Sequence, residues 1–244
     1  LEQLLSEIGF LGETLEDLEK TRIQIRNRIG AAERENLEPM PHLIDIAERV
    51  EALEHLAEME LKRAWRKHPL APWAKSVRGL GEKQIARLIA VIGDPGERPN
   101  VDKLRAYCGH GDPARKRRKN MSQEEAMALG NPKAKLRVHL ISESFVKAVA
   151  WGSRPASPYR IVYDERREKT KDRTHAEVCV RCGPSGKPAL PGSPWSDAHK
   201  HADALRVVGK TLLKDMWVVA RALNRAEEDE EAENAEAARN LGTE

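Results

Sequence analysis

The sequence is poor in several residues that common protein classes depend on. Aromatic side chains make up 4% of its 244 residues, too few for a surface that reads single-stranded nucleic acid chiefly by stacking many bases. It has three cysteines, two of them in one Cys-x-x-Cys. That usage does not build a disulfide framework and suits a reducing compartment, the cytoplasm. No run approaches the ~20 apolar residues that span a bilayer, so no membrane partner is expected. No basic-then-apolar leader opens the chain, so secretion is not expected. Hardly any stretch alternates polar and apolar residues with period two, which predicts an almost all-α protein.

What is present is charge, unevenly placed. The formal net charge is +3, but residues 1–75 carry −4, residues 76–225 carry +14 and residues 226–244 carry −7. Asymmetry of this size points to a polyanionic partner for the middle segment. The acidic end, 226–244, is expected to be disordered and to compete in cis for a basic groove. The chain starts at Leu1 inside a helical pattern, so it is expected to be a piece of something longer.

Periodicity divides the chain into three parts. Leu4, Ile8, Leu11, Leu15, Leu18, Arg22, Ile25 and Ile29 recur at alternating spacings of four and three, a narrow apolar seam broken only by Arg22. Pro39 and Pro41 end that helix, and a second one shows Leu43, Ile46, Val50, Leu53 and Ala57 on one face. The two predict an antiparallel coiled-coil hairpin over 1–68, whose seam is core alone or whose flank also dimerises. Residues 69–225 read as a helical domain of shorter elements. Ser122 with Glu125 fits a capping box, and Asn131-Pro132 fits a cap and first helical turn.

Two features of the middle segment bear on polyanions. Val77-Arg78-Gly79-Leu80-Gly81 ahead of an apolar helix fits a helix–hairpin–helix turn, in which Gly79 and Gly81 let backbone N–H groups approach a phosphate. The competing reading is a plain turn between helices. Arg78, Lys83 and Arg87 would stand near that turn. Arg115, Lys116, Arg117, Arg118 and Lys119 form a run of five cations, either a solvated face or a grip on a nucleic-acid backbone. Lys133, Lys135 and Arg137 open the next helix against its dipole, a placement that an anion docked there would relieve.

The block from Val77 to Gly81, with Ile85-Ala86, Leu88-Ile89-Ala90 and Ile92-Gly93-Asp94-Pro95, and then Leu104, Ala106-Tyr107 and Gly109, resembles the C-terminal domain of bridge-RNA-guided insertion-sequence recombinases. The resemblance continues through Gly130-Asn131, Leu136-Arg137, Ala204-Leu205-Arg206, Lys210, Leu212-Leu213 and Trp217, over roughly residues 70–225. The hairpin with Leu70-Ala71-Pro72, Gly81 and Arg87-Leu88-Ile89-Ala90 is similar to the coiled coil and Nop domain of box C/D guide ribonucleoproteins. Tas proteins, the effectors of tandem interspaced guide RNA systems, join these two families. The resemblance implies a Nop-like helical domain in a prokaryotic or phage-encoded homodimer. Such a protein would hold a structured guide RNA and use it to find target DNA.

The chain departs from those families where catalysis is concerned. Nothing in 1–35 offers the strand-borne carboxylates of a RuvC-like domain. Ser122, the serine in the interval where recombinases keep their nucleophile, reads as a helix cap. The expectation is therefore a non-catalytic core. The alternatives are a fragment of a recombinase or nuclease whose catalytic domain lies upstream of Leu1, and a guide-independent DNA-binding protein.

A last motif stands apart. His175-x-x-x-Cys179-x-x-Cys182-Gly183 is followed, after a Gly/Pro-rich loop, by His199 and His201. Both thiolates of such a turn point to one side, and the ligand types suit tetrahedral zinc. Two histidines two apart on a helix diverge, so one ligates. The expected set is His175, Cys179, Cys182 and His199, closing a structural zinc-knuckle insert over 175–199. The alternative is a pair of buried thiols with surface histidines. Cys108 reads as core and His110 as a loop residue.

Overall fold

The computed structural model describes residues 1–38, 40–112, 120–180, 182–183 and 187–241, with side chains described as far as residue 234. These residues are mainly helical. They form α1 (Glu2–Arg34), α2 (Pro41–Trp65), α3 (Ala71–Ser76), α4 (Glu82–Ile92), α5 (Val101–Tyr107), α6 (Gln123–Met127), α7 (Pro132–Lys147), α8 (Pro158–Lys169) and α9 (Asp197–Leu241). Among the described residues β pairing is limited to isolated bridges, at Trp151–Arg154, Thr174–Pro194 and Cys179–Ala189. The chain forms two compact units, Leu1–Ala71 with Glu82–Asp94, and Pro72–Gly81 with Pro95–Glu244.

In the first unit α1 and α2 pair antiparallel, with Arg22 bonded to Glu54 and Arg26 to Glu51. Ile8, Leu15, Ile25 and Ile29 of the expected α1 seam are buried. The buried face of α2 differs from the one expected. It runs through Ala47, Ala57, Leu61 and Ala64, with Leu43, Val50 and Glu54 partly covered, while Ile46 and Leu53 are 45% and 52% exposed. Alanines let the two helices approach closely, and Glu54 occupies the seam because Arg22 faces it; bulk alone misplaced the stripe.

α4 belongs to this unit, although the sequence assigns it to the domain after residue 68. Its Ile85, Ala86, Leu88, Ile89 and Ile92 are buried. Gly12 explains the close approach of α1, since a Cβ there would lie 2.4 Å from the Cβ of Ala90.

The second unit is organised around α9, on which α5, α7, α8 and the 3₁₀ turn Pro95–Glu97 pack. Its buried residues include Ala204, Leu205, Val208, Leu212, Leu213, Met216 and Ala220, facing Ala134, Val138, Ile141 and Phe145 of α7. Tyr159 of α8 stacks on Phe145 at 4.4 Å and donates to Asp215 of α9 at 2.9 Å. Gly96 is required by the same packing, because a Cβ would meet the Ala220 backbone at 3.0 Å. Both expected caps are present: Asn131 accepts from Lys133 and Ala134, and Ser122 with Glu125 completes the capping box.

α9 continues beyond Arg225 to Leu241, through the segment expected to be disordered. From Lys210 to Leu241 the sequence has no glycine or proline, and beyond Arg225 it is rich in alanine and glutamate, so propensity carries the helix through residues 226–234, which are exposed. Residues 242–244 lie outside the described residues. No helix among the described residues is long and apolar enough to cross a membrane.

Candidate metal centre and basic surface

Residues 174–195 fold back on themselves with little core. Cys179 and Ala189 exchange backbone hydrogen bonds of 2.9 and 2.8 Å, His175 N–H donates to Ser193 at 2.9 Å, and Trp195 N–H donates to Arg173 at 2.9 Å. This ladder brings Cys179 and His175 beside the first turn of α9. There Ser196 accepts from His199 N–H at 3.2 Å, turning His199 toward the thiols. A Cβ on Gly183 would collide with the Lys187 carbonyl, so the residue after Cys182 has to be glycine.

The ligand atoms of His175, Cys179, Cys182 and His199 all lie within 4.8 Å of one another. Cys182 Sγ is 3.0 Å from His199 Nδ1, and Cys179 Sγ is 3.8 Å from the same atom. Burial acts to raise the Cys182 thiol, but hydrogen bonds to Ser196 and Cys179 outweigh it and hold the group below the usual thiol value. His175 is buried, and its Nε2 has no hydrogen-bond partner among the described residues. A buried ring nitrogen left without a partner is costly, and a bound metal ion would supply one. Two sulfurs and two imidazoles in this arrangement can hold a metal ion. Trp195 stacks on His199 at 4.0 Å, which fixes the plane of the imidazole, and Arg173 lies over the Trp195 ring at 4.6 Å. His201 is directed elsewhere, bonding Tyr163 at 2.8 Å and lying 3.9 Å from Glu143. The choice between the two histidines thus falls on His199.

The expected phosphate-facing group around the glycine turn is not assembled. Gly79 has φ +90°, and a Cβ would meet Phe145 and Ala148 at 3.0 Å. Its glycine serves packing on the end of α7. Gly81 has neither a left-handed backbone nor a close neighbour. Arg78 donates to the carbonyls of Val149, Arg154 and Pro155, a backbone clamp in the second unit. Lys83 and Arg87 lie in the first unit: Lys83 pairs with Glu58 at 2.5 Å, and Arg87, 2% exposed, pairs with Glu19 at 2.5 Å. A buried, paired guanidinium does not reach a phosphate. Of the cations opening α7, Lys133 and Lys135 are exposed while Arg137 is buried, because its position falls on the face packed toward α9. Arg115, Lys116, Arg117, Arg118 and Lys119 lie outside the described residues.

A cationic cluster does form elsewhere in the second unit. Arg105 of α5 bonds the Lys210 carbonyl at 3.2 Å, and Arg206 bonds the Gly111 carbonyl at 2.9 Å. Burial, followed by repulsion from Arg206 and Arg105, lowers the Lys210 ammonium below its ordinary value. His110 is in a loop, as the sequence predicts, but it is buried. Burial, then Lys135, Arg206 and Lys210, depress it to about 4. Its ring packs so closely on α9 that a Cβ on Gly209 would lie 2.9 Å from Cε1. Cys108 is core, and burial pushes its thiol up to about 12. The sequence alone did not single out Arg105, Arg206 and Lys210. The available signal was Arg206 and Lys210, four apart on one helix face; Asp203, the acid three residues before Arg206, pairs with Arg166 instead at 2.6 Å.

No family model, curated protein or solved structure matches this chain.

Proposed function

We propose that this protein binds a structured guide RNA through its second unit and acts as the non-catalytic core of an RNA-guided DNA-targeting assembly. The observation that carries the reading is the grouping of Arg105, Lys135, Arg206 and Lys210: Lys135, Arg206 and Lys210 act on the buried His110, and Lys210 is lowered first by burial and then by Arg206 and Arg105. Close cations in one face cost stability unless a polyanion neutralises them, and phosphates do so with release of counterions. The +14 charge of residues 76–225 and the resemblance to Tas proteins and bridge-RNA recombinases favour the same partner. Ser122 serves as the cap of α6.

The metal in this reading is zinc, held by His175, Cys179, Cys182 and His199, and its contribution is to close a loop that has almost no core. The assembly is a homodimer. Ile46, Leu53 and Leu56 form an exposed apolar stripe on α2, and a second copy would cover it; light scattering at a monomer mass would overturn that element.

The test is the nucleic acid that travels with the full chain. Purification without nuclease, followed by sequencing of the protected material, is expected to return one recurrent structured RNA. Duplex DNA alone, or no nucleic acid together with no preference for folded RNA over duplex DNA, overturns the guide-RNA reading. Arg206→Glu with Lys210→Glu is expected to reduce RNA affinity and flatten its dependence on salt.

A further inference from the structure

The segment 148–157 is a closed loop that presents one tryptophan. Ser157 N–H donates to the Ala148 carbonyl at 2.9 Å, pinching its base. Within it Trp151 and Arg154 exchange two backbone hydrogen bonds of 3.0 Å, and Gly152 takes φ +55° to turn the chain between them. Arg78 then spans the loop, donating to the carbonyls of Val149, Arg154 and Pro155. The glycine turn seats on the same end of α7, where Ser144 donates to the Gly79 carbonyl at 2.8 Å. All this order leaves the Trp151 side chain 79% exposed.

A large ring fixed in water on a braced loop gains nothing for the fold, since burial is what makes tryptophan stabilising. A binding contact gains from the same arrangement, because the entropy of ordering the backbone that carries the ring is already spent. The charge of the surroundings selects the ligand. The loop 148–157 contains no aspartate or glutamate and contains Arg154, with Lys147 just before it; Arg160 is paired with Asp164 at 2.7 Å. An exposed indole flanked by cations matches an aromatic base attached to a phosphate backbone.

We infer that Trp151 is a stacking platform for one unpaired nucleobase, with Arg154 beside it for the adjoining phosphate. Arg78 is the positioning residue that holds the loop. This rests on the nucleic-acid reading above and deepens it by locating a contact to single-stranded nucleotide. It also assigns the Arg78-Gly79 signature a purpose other than phosphate contact: it braces the loop that carries the base contact. One such platform is compatible with the scarcity of aromatic residues, because it reads a single exposed base.

The test uses the full chain and two fluorescein-labelled RNA probes, a blunt hairpin and the same hairpin with a short 3′ run of unpaired adenosines. Trp151→Ala is expected to weaken the extended probe by about five- to a hundredfold and to leave the blunt probe within about twofold. Trp151→Phe is expected to keep most of the affinity, and the emission difference between wild type and W151F is expected to be quenched by the extended probe. Arg78→Ala is expected to lose affinity for the extended probe selectively; an equal loss on both probes assigns Arg78 to the fold alone and removes it from the inference. Unchanged melting of W151A by circular dichroism shows that the loss is not unfolding. Equal binding of the extended probe by wild type and W151A, without quenching, overturns the platform while leaving nucleic-acid binding intact. Failure of the wild type to bind either probe overturns the broader reading as well. A change in Trp151 emission with phosphatidylglycerol vesicles and none with RNA reassigns the loop to a lipid surface, and overturns the inference too.

Discussion

Arg22 and Glu54 meet across the α1–α2 hairpin as a charge pair set in the apolar seam. Arg22 Nε lies 2.5 Å from Glu54 Oε2, and Nη2 lies 3.3 Å from Oε1, with the two side chains 28% and 12% exposed. A paired charge inside an apolar seam fixes register, since sliding either helix leaves both ions uncompensated.

Glu54→Leu is therefore expected to cost roughly 1–2 kcal/mol by stranding Arg22. The double change Arg22→Leu with Glu54→Leu is expected to recover that loss or exceed it. Urea denaturation of both singles and the double gives the coupling. Additive effects would show that the pair is incidental to the hairpin.

Gly12 makes the contact between α1 and α4. Gly12→Val is expected to destabilise by roughly 1–3 kcal/mol, because a Cβ at 2.4 Å from the Ala90 Cβ cannot be accommodated without separating the helices. Gly30→Ala on the same helix meets nothing within 4 Å. It is expected to raise the melting temperature slightly through helix propensity.

Metal analysis of the purified chain is expected to give one zinc per chain. Cys179→Ser and Cys182→Ser are each expected to abolish it, while His201→Gln, whose ring bonds Tyr163 instead, is expected to retain it. Stripping the metal should alter Trp195 emission, since that ring stacks on His199.

Two buried histidines make stability fall on mild acidification. Burial depresses His68 to about 4, and burial with neighbouring cations depresses His110 to about 4. Both are neutral when folded, whereas an unfolded histidine takes up a proton near pH 6.5. The stabilisation is complete above pH 6.5 and is lost progressively between about pH 6.5 and pH 4, on the order of 3 kcal/mol for each residue at most. Denaturation midpoints at pH 7.5 and pH 5 are expected to differ less in His68→Gln, where the side-chain acceptor for Leu70 N–H is kept.

The parts of the fold that follow from local rules were legible in the sequence. Asn131-Pro132 and Ser122 with Glu125 named their caps, and Cys-x-x-Cys with two outlying histidines named the cluster that can hold a metal ion. What escaped was set by pairings distant in sequence. The buried stripe of α2 was misplaced because Glu54 joins a core only when Arg22 is opposite, and alanines join only when the partner helix comes close. Arg87 read as a phosphate ligand, since nothing in its own neighbourhood announces Glu19, which is 68 residues away. Arg78 read the same way for the same reason: its acceptors are carbonyls more than 70 positions further on.

The length of α9 bears on the acidic segment at its end. At 1.5 Å per residue, Lys210 and Glu231 are separated along one continuous helix by about 30 Å. A flexible tail explores the volume around its anchor and reaches millimolar effective concentration at a nearby site, whereas a rigid rod presents its end at one fixed distance and has almost none. With α9 intact, the glutamates of 227–233 are spaced away from the Arg206–Lys210 cations. At that distance, several times the screening length at physiological salt, they do not compensate those cations, and the acidic end does not act as a tethered competitor for them.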